Sequence, residues 1–531
     1  MKRTTINRNK SEYFSTLANT LVYDQDTLES FIRRSFSTTS IFEQTKDKQE
    51  NYSAEMRQVL KDVVVDQMQP FMRNEMVGNN VEMLGKDRTF TITTGHQLNI
   101  FSGPLYVIYK IMHVIKLTRA LNESQNDYNY VPVFWMATED HDFEEINHFH
   151  LFNDTIKWST SQSGAVGRFD LNDFSAVKDA IADKFQNNDD MRSYLLNHYR
   201  ESDSLASATR KFIMDLFADY GLIVLNADDH RLKKQFAPIM EREVRKPFAE
   251  ELVKQQTNAL AEKGFDGQVT PRPINLFYLS ENARDRIIPD KDHFNIGNRQ
   301  FKQEDLLKEL EEYPDRFSPN VVLRPIYQEV ILPNIAYVGG GGEMAYWLQL
   351  KPVFDAVNII YPIIQVRNSV QIIDKIANKK MRKLGLSIND LFKGIHEVKR
   401  EYVLKNSQED LDFSKLHQPK EQLKQSIQTF VNEVDDALSN YAKSEITRIE
   451  KQIQGIQQKL IRHQKKQHDD AMNQLDNLFE RLYPEQQLQE RHDNIIQLLA
   501  TQGRDNIIDT IYEALDPFEK DLIIISDEKQ G

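Results

Sequence analysis

Several short runs in this chain are apolar on both faces, and a fold must cover such strands from two sides. RTFTITTG (88–95), YVPVFWMA (130–137), YGLIVLNADD (220–229), NIAYVGG (334–340) and NIIYPIIQV (358–366) are rich in β-branched and aromatic residues. Parallel strands sandwiched between helices read this way, whereas half-exposed strands alternate apolar and polar residues. Between the first two runs lies GPLYVIYKIMHVIKLTRAL, an apolar-striped helix with Pro104 in its first turn. Strand, helix, strand in that order implies a right-handed parallel crossover. The expected fold class is therefore α/β, a Rossmann-like doubly wound parallel sheet with its ligand crevice at the C-terminal strand ends.

At 531 residues the chain is too long for one compact core. The core is expected in three parts, 1–154, 216–240 and 326–386, separated by connective inserts at 155–215 and 241–325. From 387 to 482 the pattern changes: Ile446, Ile449, Ile453, Ile456 and Leu460 recur in steps of three and four, as do Val434, Leu438 and Tyr441. That spacing is a coiled-coil seam, expected as two long helices folding back on each other. Residues 483–531 end in DLIIISD, read as a last strand returning to the core.

A net charge of −13 argues against a general binder of phosphate backbones, so nucleic acid is not an expected partner. The chain has no cysteine, which excludes disulfides, thiolate metal sites and a Cys nucleophile. MKRTTINRNKSEYF lacks the apolar segment of a secretory signal, and no stretch approaches the roughly 18 apolar residues of a membrane span. A soluble, cytoplasmic protein is expected.

Three strand ends carry the chemistry. In TTGHQLNIFSGPLYVIYK (93–110), Gly95 and Gly103 allow close backbone approach, and the following helix offers its N-terminus to an anion beside Ser102. In ATEDHDFEEINH (137–148), Glu139, Asp140, His141 and Asp142 follow a buried strand without a break, which marks a site; Glu144, Glu145 and His150 are read as solvated. His141 and His148 with the aspartates allow a zinc reading, but no Cys and no HExxH spacing supports it, so no metal is expected. In YVGGGGEMAYWLQLKPVF (337–354), Gly339, Gly340 and Gly341 belong to a run of four glycines that is costly in ordered structure unless a ligand needs the backbone there. Glu343, Tyr346 and Trp347 start a helix on the same rim, and Arg367 with Asn368 ends the last core strand, where Arg367 can clamp an anion or pair with a rim carboxylate.

The order of SGPL, TEDHD and VGGGGEMAYW resembles the class I aminoacyl-tRNA synthetase-like nucleotidyl-transfer fold, with His96 near the position of its histidine motif and NKKMRKL (378–384) as a weak counterpart of its lysine motif. TGHQLNIFSGPLYVIYKI, VPVFWMATEDHDFEEINH and YVGGGGEMAYWLQLKPVF together are similar, over essentially the whole chain, to the cysteine-ligase family of bacillithiol biosynthesis. That resemblance implies a carbon–nitrogen ligase adding cysteine to glucosaminyl-malate, and a homodimer joined through the coiled coil. Amide formation from a free carboxylate needs activation, which ATP could supply through an aminoacyl-adenylate, so ATP or ADP is the expected nucleotide. In this scheme the helix at Pro104 holds phosphate, aided by His96, and Asp140 or Glu343 pairs with the cysteine ammonium. Asp142 or His141 accepts the proton of the attacking amine. The alternatives are another synthetase-like carboxylate-activating enzyme, one acting on tRNA included, and a non-catalytic coiled-coil scaffold, which would leave three polar strand ends without a role.

Overall fold

A computed structural model describes residues 2–124, 127–152, 154–406 and 413–527. The chain divides into two compact units, Arg3–Gln371 with Gln487–Ile525, and Ile372–Gln486. In the first unit the core strands are β1 (Thr89–His96), β2 (Asn129–Met136), β3 (Ile223–Asn226), β4 (Asn334–Gly339) and β5 (Ile363–Val366), all parallel, in the spatial order β5–β4–β1–β2–β3. Helix α1 (Tyr106–Glu123) joins β1 to β2, α2 (Arg324–Ile331) leads into β4, and α3 (Gly341–Trp347) leaves it. The order reverses at β1, so the connections to β2 and to β4 depart to opposite sides and open a crevice at the strand ends between them.

The sheet has two unlike faces. Phe90 and Ile92 of β1 pack with Val114, Leu117 and Leu121 of α1 and with Ile335 of β4 in an apolar cluster. Thr91 and Thr93 point the other way and meet a buried polar chain. Thr93 donates to Asn334 Oδ1 (2.7 Å), Asn334 Nδ2 donates to Glu329 Oε1 (2.7 Å), and Lys48 Nζ donates to the Glu329 carbonyl (2.8 Å) and lies 3.7 Å from its carboxylate. Burial pushes the Glu329 carboxyl up from 4.5 to about 7, against the pull of Lys48. Between those values the folded protein holds a proton that the unfolded chain releases, so this group's contribution to stability falls as pH rises. Glu329→Gln is expected to remove up to roughly 3 kcal/mol of that pH dependence, read by comparing thermal unfolding of variant and wild type at about pH 5 and about pH 8. Parallel pH profiles would refute it.

The inserts differ from expectation in their limits. The helix His230–Arg245 runs unbroken through the expected boundary at 240, carrying Pro238 inside it. In the second unit α4 (Lys375–Leu384) belongs with the helices that follow it: Asp374 caps it through Ala377 N and pairs with Arg481 of α7 (Asp469–Leu482). The boundary expected at 387 thus falls at 372, and NKKMRKL lies on α4, outside the unit that carries the crevice. Helices α5 (His417–Val434) and α6 (Ser439–Gln467) form the hairpin, with Lys420 and Lys424 both 3.8 Å from Glu450. Val434, Leu438 and Tyr441 do not extend one seam, because the chain reverses between them: Asp435 is extended and its carboxylate caps Ala437 N. The tail forms β6 (Leu522–Ser526), whose Ile523 N donates to Ser369 O. No described helix is long and apolar enough to cross a membrane.

Candidate active site

The ends of β1, β2, β4 and β5 open into one cleft of about 810 Å³. Its wall takes Gly95, His96 and Gln97 from β1, Ala137–Asp142 from β2, Gly340–Glu343 from β4 and Arg367 from β5, with Tyr346 on α3. The sheet therefore brings most of the expected residues to one place.

The acidic loop after β2 is held by specific partners. Asp140 accepts from Gln97 Nε2 (2.9 Å) and from His141 N (2.8 Å), and Arg284 stands 3.7 Å away. Burial alone would raise its carboxyl, but the hydrogen bonds from His141 and Gln97 and the charge of Arg284 outweigh that and hold it well below the usual carboxylate range. Arg284 Nη1 also lies 3.0 Å from His141 Nδ1. A guanidinium can only donate, so His141 Nδ1 accepts and its proton sits on Nε2. Glu139 is buried against Lys233, and desolvation raises its carboxyl. Glu144 is exposed and tied to Lys157, and Glu145 accepts from Gln97 (2.8 Å). Donor atoms of Asp140, His141 and Asp142 lie within 4.8 Å of one another, close enough to ligate a cation. Arg284 already supplies positive charge to the first two.

The glycine run has two separate causes. A Cβ on Gly341 would meet Ala18 Cβ at 2.9 Å, so the protein's own packing needs glycine there, whereas one on Gly339 would press mainly on the movable end of Met344 (Cε, 2.6 Å). Gly340 and Gly342 face the cleft with open space or only Glu343 beside them. Glu343 accepts from Lys110 Nζ (2.7 Å), Tyr337 Oη (2.9 Å) and Gly340 N (2.8 Å), while Lys110 also donates to Gly95 O (2.5 Å). The expected ammonium partner is thus already engaged. His96 beside it is half-buried at the cleft wall, and desolvation with the charge of Lys110 pushes its imidazole down to about 3. It is neutral at pH 7 and would aid an anion through a hydrogen bond rather than a charge.

Besides Gly339, four expected residues lie outside the cleft lining. Ser102 is buried and Gly103 (φ +63°) turns the chain beneath Asn494, which donates to Phe101 O and Gly103 O, while Leu105 N donates to Asp493 O. The C-terminal segment therefore packs against Ser102 and Gly103, where phosphate was expected, while Tyr106 at the start of α1 still lines the cleft. Trp347 is 0% exposed and stacks on Tyr337 at 4.5 Å. Asn368 is buried, its N–H donating to His113 Nδ1. Arg367 reaches the cleft wall but is held bidentate by Glu490 (2.7 and 3.0 Å), so the rim-carboxylate reading applies.

Sequence reasoning missed the cations that replace these. Arg272, Arg286 and Arg491 line the cleft from exposed positions and make no ion pair among the described residues; Arg284 and Arg324 line it from within. Lys110 had a readable signal, a charge inside the apolar stripe YVIYKIM. The arginines had none, because they lie in turn-rich sequence or far along the chain.

Residues 1–368 match the family model of the N-terminal Rossmann-like domain of BshC, described under bacillithiol biosynthesis, and residues 370–526 match its C-terminal coiled-coil domain. Proteins named "Putative cysteine ligase BshC" are similar throughout. That of Flavobacterium johnsoniae is 37% identical over 97% of this chain and 98% of its own length. Those of Flavobacterium psychrophilum and Christiangramia forsetii are each 35% identical, over 98% and 97% of this chain and 98% of their own length. A crystal structure described as a putative arginyl-tRNA synthetase from Campylobacter jejuni covers 86% of this chain and 98% of its own, at 9% identity and a TM-score of 0.22, too distant to support fold or function.

Proposed function

Because the chain belongs to the BshC family of bacillithiol biosynthesis, we propose that it joins the carboxyl of cysteine to the amine of glucosaminyl-malate in an ATP-dependent amide synthesis. The observation that carries this reading is the cleft at the β1–β4 switch point, where an ionised, partnered Asp140 faces arginines without carboxylates. ATP acts as co-substrate: the cysteine carboxylate displaces pyrophosphate, and the sugar amine then displaces AMP and loses a proton. Asp140 stays charged at neutral pH and is the group suited to the cysteine ammonium, since Glu343 is committed to Lys110. His141 uses its free lone pair on Arg284, and Glu139 is tied to Lys233, which leaves Asp142, 57% exposed, to take the proton. His96 contributes a neutral donor, and Arg272, Arg286 and Arg491 on the cleft wall neutralise phosphate. The reaction belongs in the cytoplasm, where ATP is available. Mass analysis of small thiols in a deletion strain tests the reading: loss of bacillithiol with accumulation of glucosaminyl-malate is expected. Unchanged thiol content would refute it.

The coiled-coil hairpin supports a homodimer. Within the unit Ile446 is buried, but Phe430 (67%), Ile456 (60%) and Leu460 stay exposed, an apolar surface that a second copy would cover. Ile456→Glu with Leu460→Glu is expected to give monomers in sedimentation. A dimer unchanged by both would place the interface elsewhere.

A further inference from the structure

Arg324 is the first residue of α2 and lines the cleft. Its Nη1 donates to Gln328 Oε1 at 3.1 Å, but its Nη2 is buried and has no hydrogen-bond partner. The guanidinium stands beside the Tyr337 ring, 5.8 Å from its centroid, with the Tyr346 hydroxyl and the more distant Glu343 carboxylate favouring its charge, and it makes no ion pair among the described residues. The other two buried cations of this wall are matched: Arg284 faces Asp140 and Arg367 is clamped by Glu490. Arg324 is also placed at a helix N-terminus, where the backbone dipole disfavours a cation. A buried donor without an acceptor destabilises the protein that holds it. Here three unfavourable features coincide on one side chain at the cleft wall, and an anion in the cleft would remove all three.

We propose that Arg324 anchors an oxyanion, carboxylate or phosphate, of a bound substrate at the wall of the cleft. The inference rests on the ligase reading only for the identity of that substrate, since cysteine, the malate moiety and ATP all carry such groups. Its planar fork fits two oxygens of one group, which an ammonium at the same place would not. The expected direction of its effect is unusual for a buried charge: removing it leaves the unliganded protein no less stable, and weakens binding.

The test uses the full-length protein, as wild type, Arg324→Gln and Arg324→Lys, titrated calorimetrically with L-cysteine, L-malate and ATP in turn. The wild type is expected to bind, and Arg324→Gln to lose about 30-fold or more in affinity for the probe whose oxyanion it holds. Arg324→Lys should recover part of that loss. A loss confined to cysteine or malate identifies a carboxylate, and one confined to ATP a phosphate. Without ligand, Arg324→Gln should melt at or above the wild-type temperature. Unchanged affinity for all three probes, a wild type that binds none of them, or a large drop in unliganded melting temperature would each overturn the proposal. Product formation by the wild type from cysteine, ATP and glucosaminyl-malate tests the reaction itself: its absence, with the Arg324 effect intact, would remove the ligase reading alone.

Discussion

Asp140→Asn is expected to lower product formation by roughly two to three orders of magnitude, the loss typical of deleting one preorganised charge from an active site. The substitution keeps the shape but not the charge. It leaves Arg284 without its carboxylate and turns an amide toward Gln97 Nε2, which donates to Asp140 at 2.9 Å. A stability cost of about 1–2 kcal/mol follows from those weakened bonds. Because Asp140 is held well below the usual carboxylate range, it stays ionised across the working pH, and the acid limb of the rate profile should not follow it. Its stabilising contribution persists above the unfolded value and is lost only as pH falls through the lower folded one. Glu145→Gln is the control: the side chain is exposed and accepts one bond from Gln97, so activity and stability should stay near wild type. A fully active Asp140→Asn with only a lower melting temperature would make 137–148 a structural loop.

The sheet was legible because parallel strands announce themselves locally. Three of the five core strands fall inside the apolar runs and the other two, Thr89–His96 and Asn129–Met136, overrun them by one residue, and the larger errors are at ends where the backbone turns. YGLIVLNADD shrinks to Ile223–Asn226 because Gly221 adopts φ +71° and closes the preceding turn. NIIYPIIQV loses its first half because Asn358 sits at φ +55° and Pro362 removes a ladder donor just before β5. The hairpin was legible as a period but not as a fold, since nothing in Val434, Leu438 and Tyr441 says that the chain reverses at Asp435.

The site was legible where its residues are neighbours in sequence and obscure where they are not. Asp140, His141 and Asp142 are consecutive, so one strand delivers them together. The residues that contradict expectation are silenced by distant partners. Asn494, 391 positions from Gly103, holds the Phe101–Gly103 turn, and Glu490, 123 positions from Arg367, occupies the clamp. Arg284 and Arg324 reach the cleft by tertiary folding of the second insert and the helix after it, which no local pattern encodes. The glycine run shows both cases at once: Gly340, Gly341 and Gly342 line the cleft, but Gly341 is also glycine for packing against Ala18.

Lys110→Met is expected to cost about 3 kcal/mol and to disable the site without touching a substrate contact. Lys110 is 1% exposed, in the second turn of α1, and its ammonium joins the end of β1 through Gly95 O to the glycine loop through Glu343. Methionine fills the volume but leaves Glu343 with only Tyr337 and Gly340 N to offset its charge. His96 reports the change independently. Desolvation and then the Lys110 charge hold its imidazole at about 3, so removing that charge should raise its titration, observable by NMR, while burial keeps it below an exposed histidine. Glu343→Leu alone strands the buried ammonium and should cost a similar amount. Lys110→Met with Glu343→Leu removes both charges, so stability should return toward wild type although activity does not, because the tie between β1 and the glycine loop is still missing. If Lys110→Met melts like wild type and leaves His96 unmoved, the pair does not organise this cleft; if the double variant regains activity, Lys110 serves stability alone.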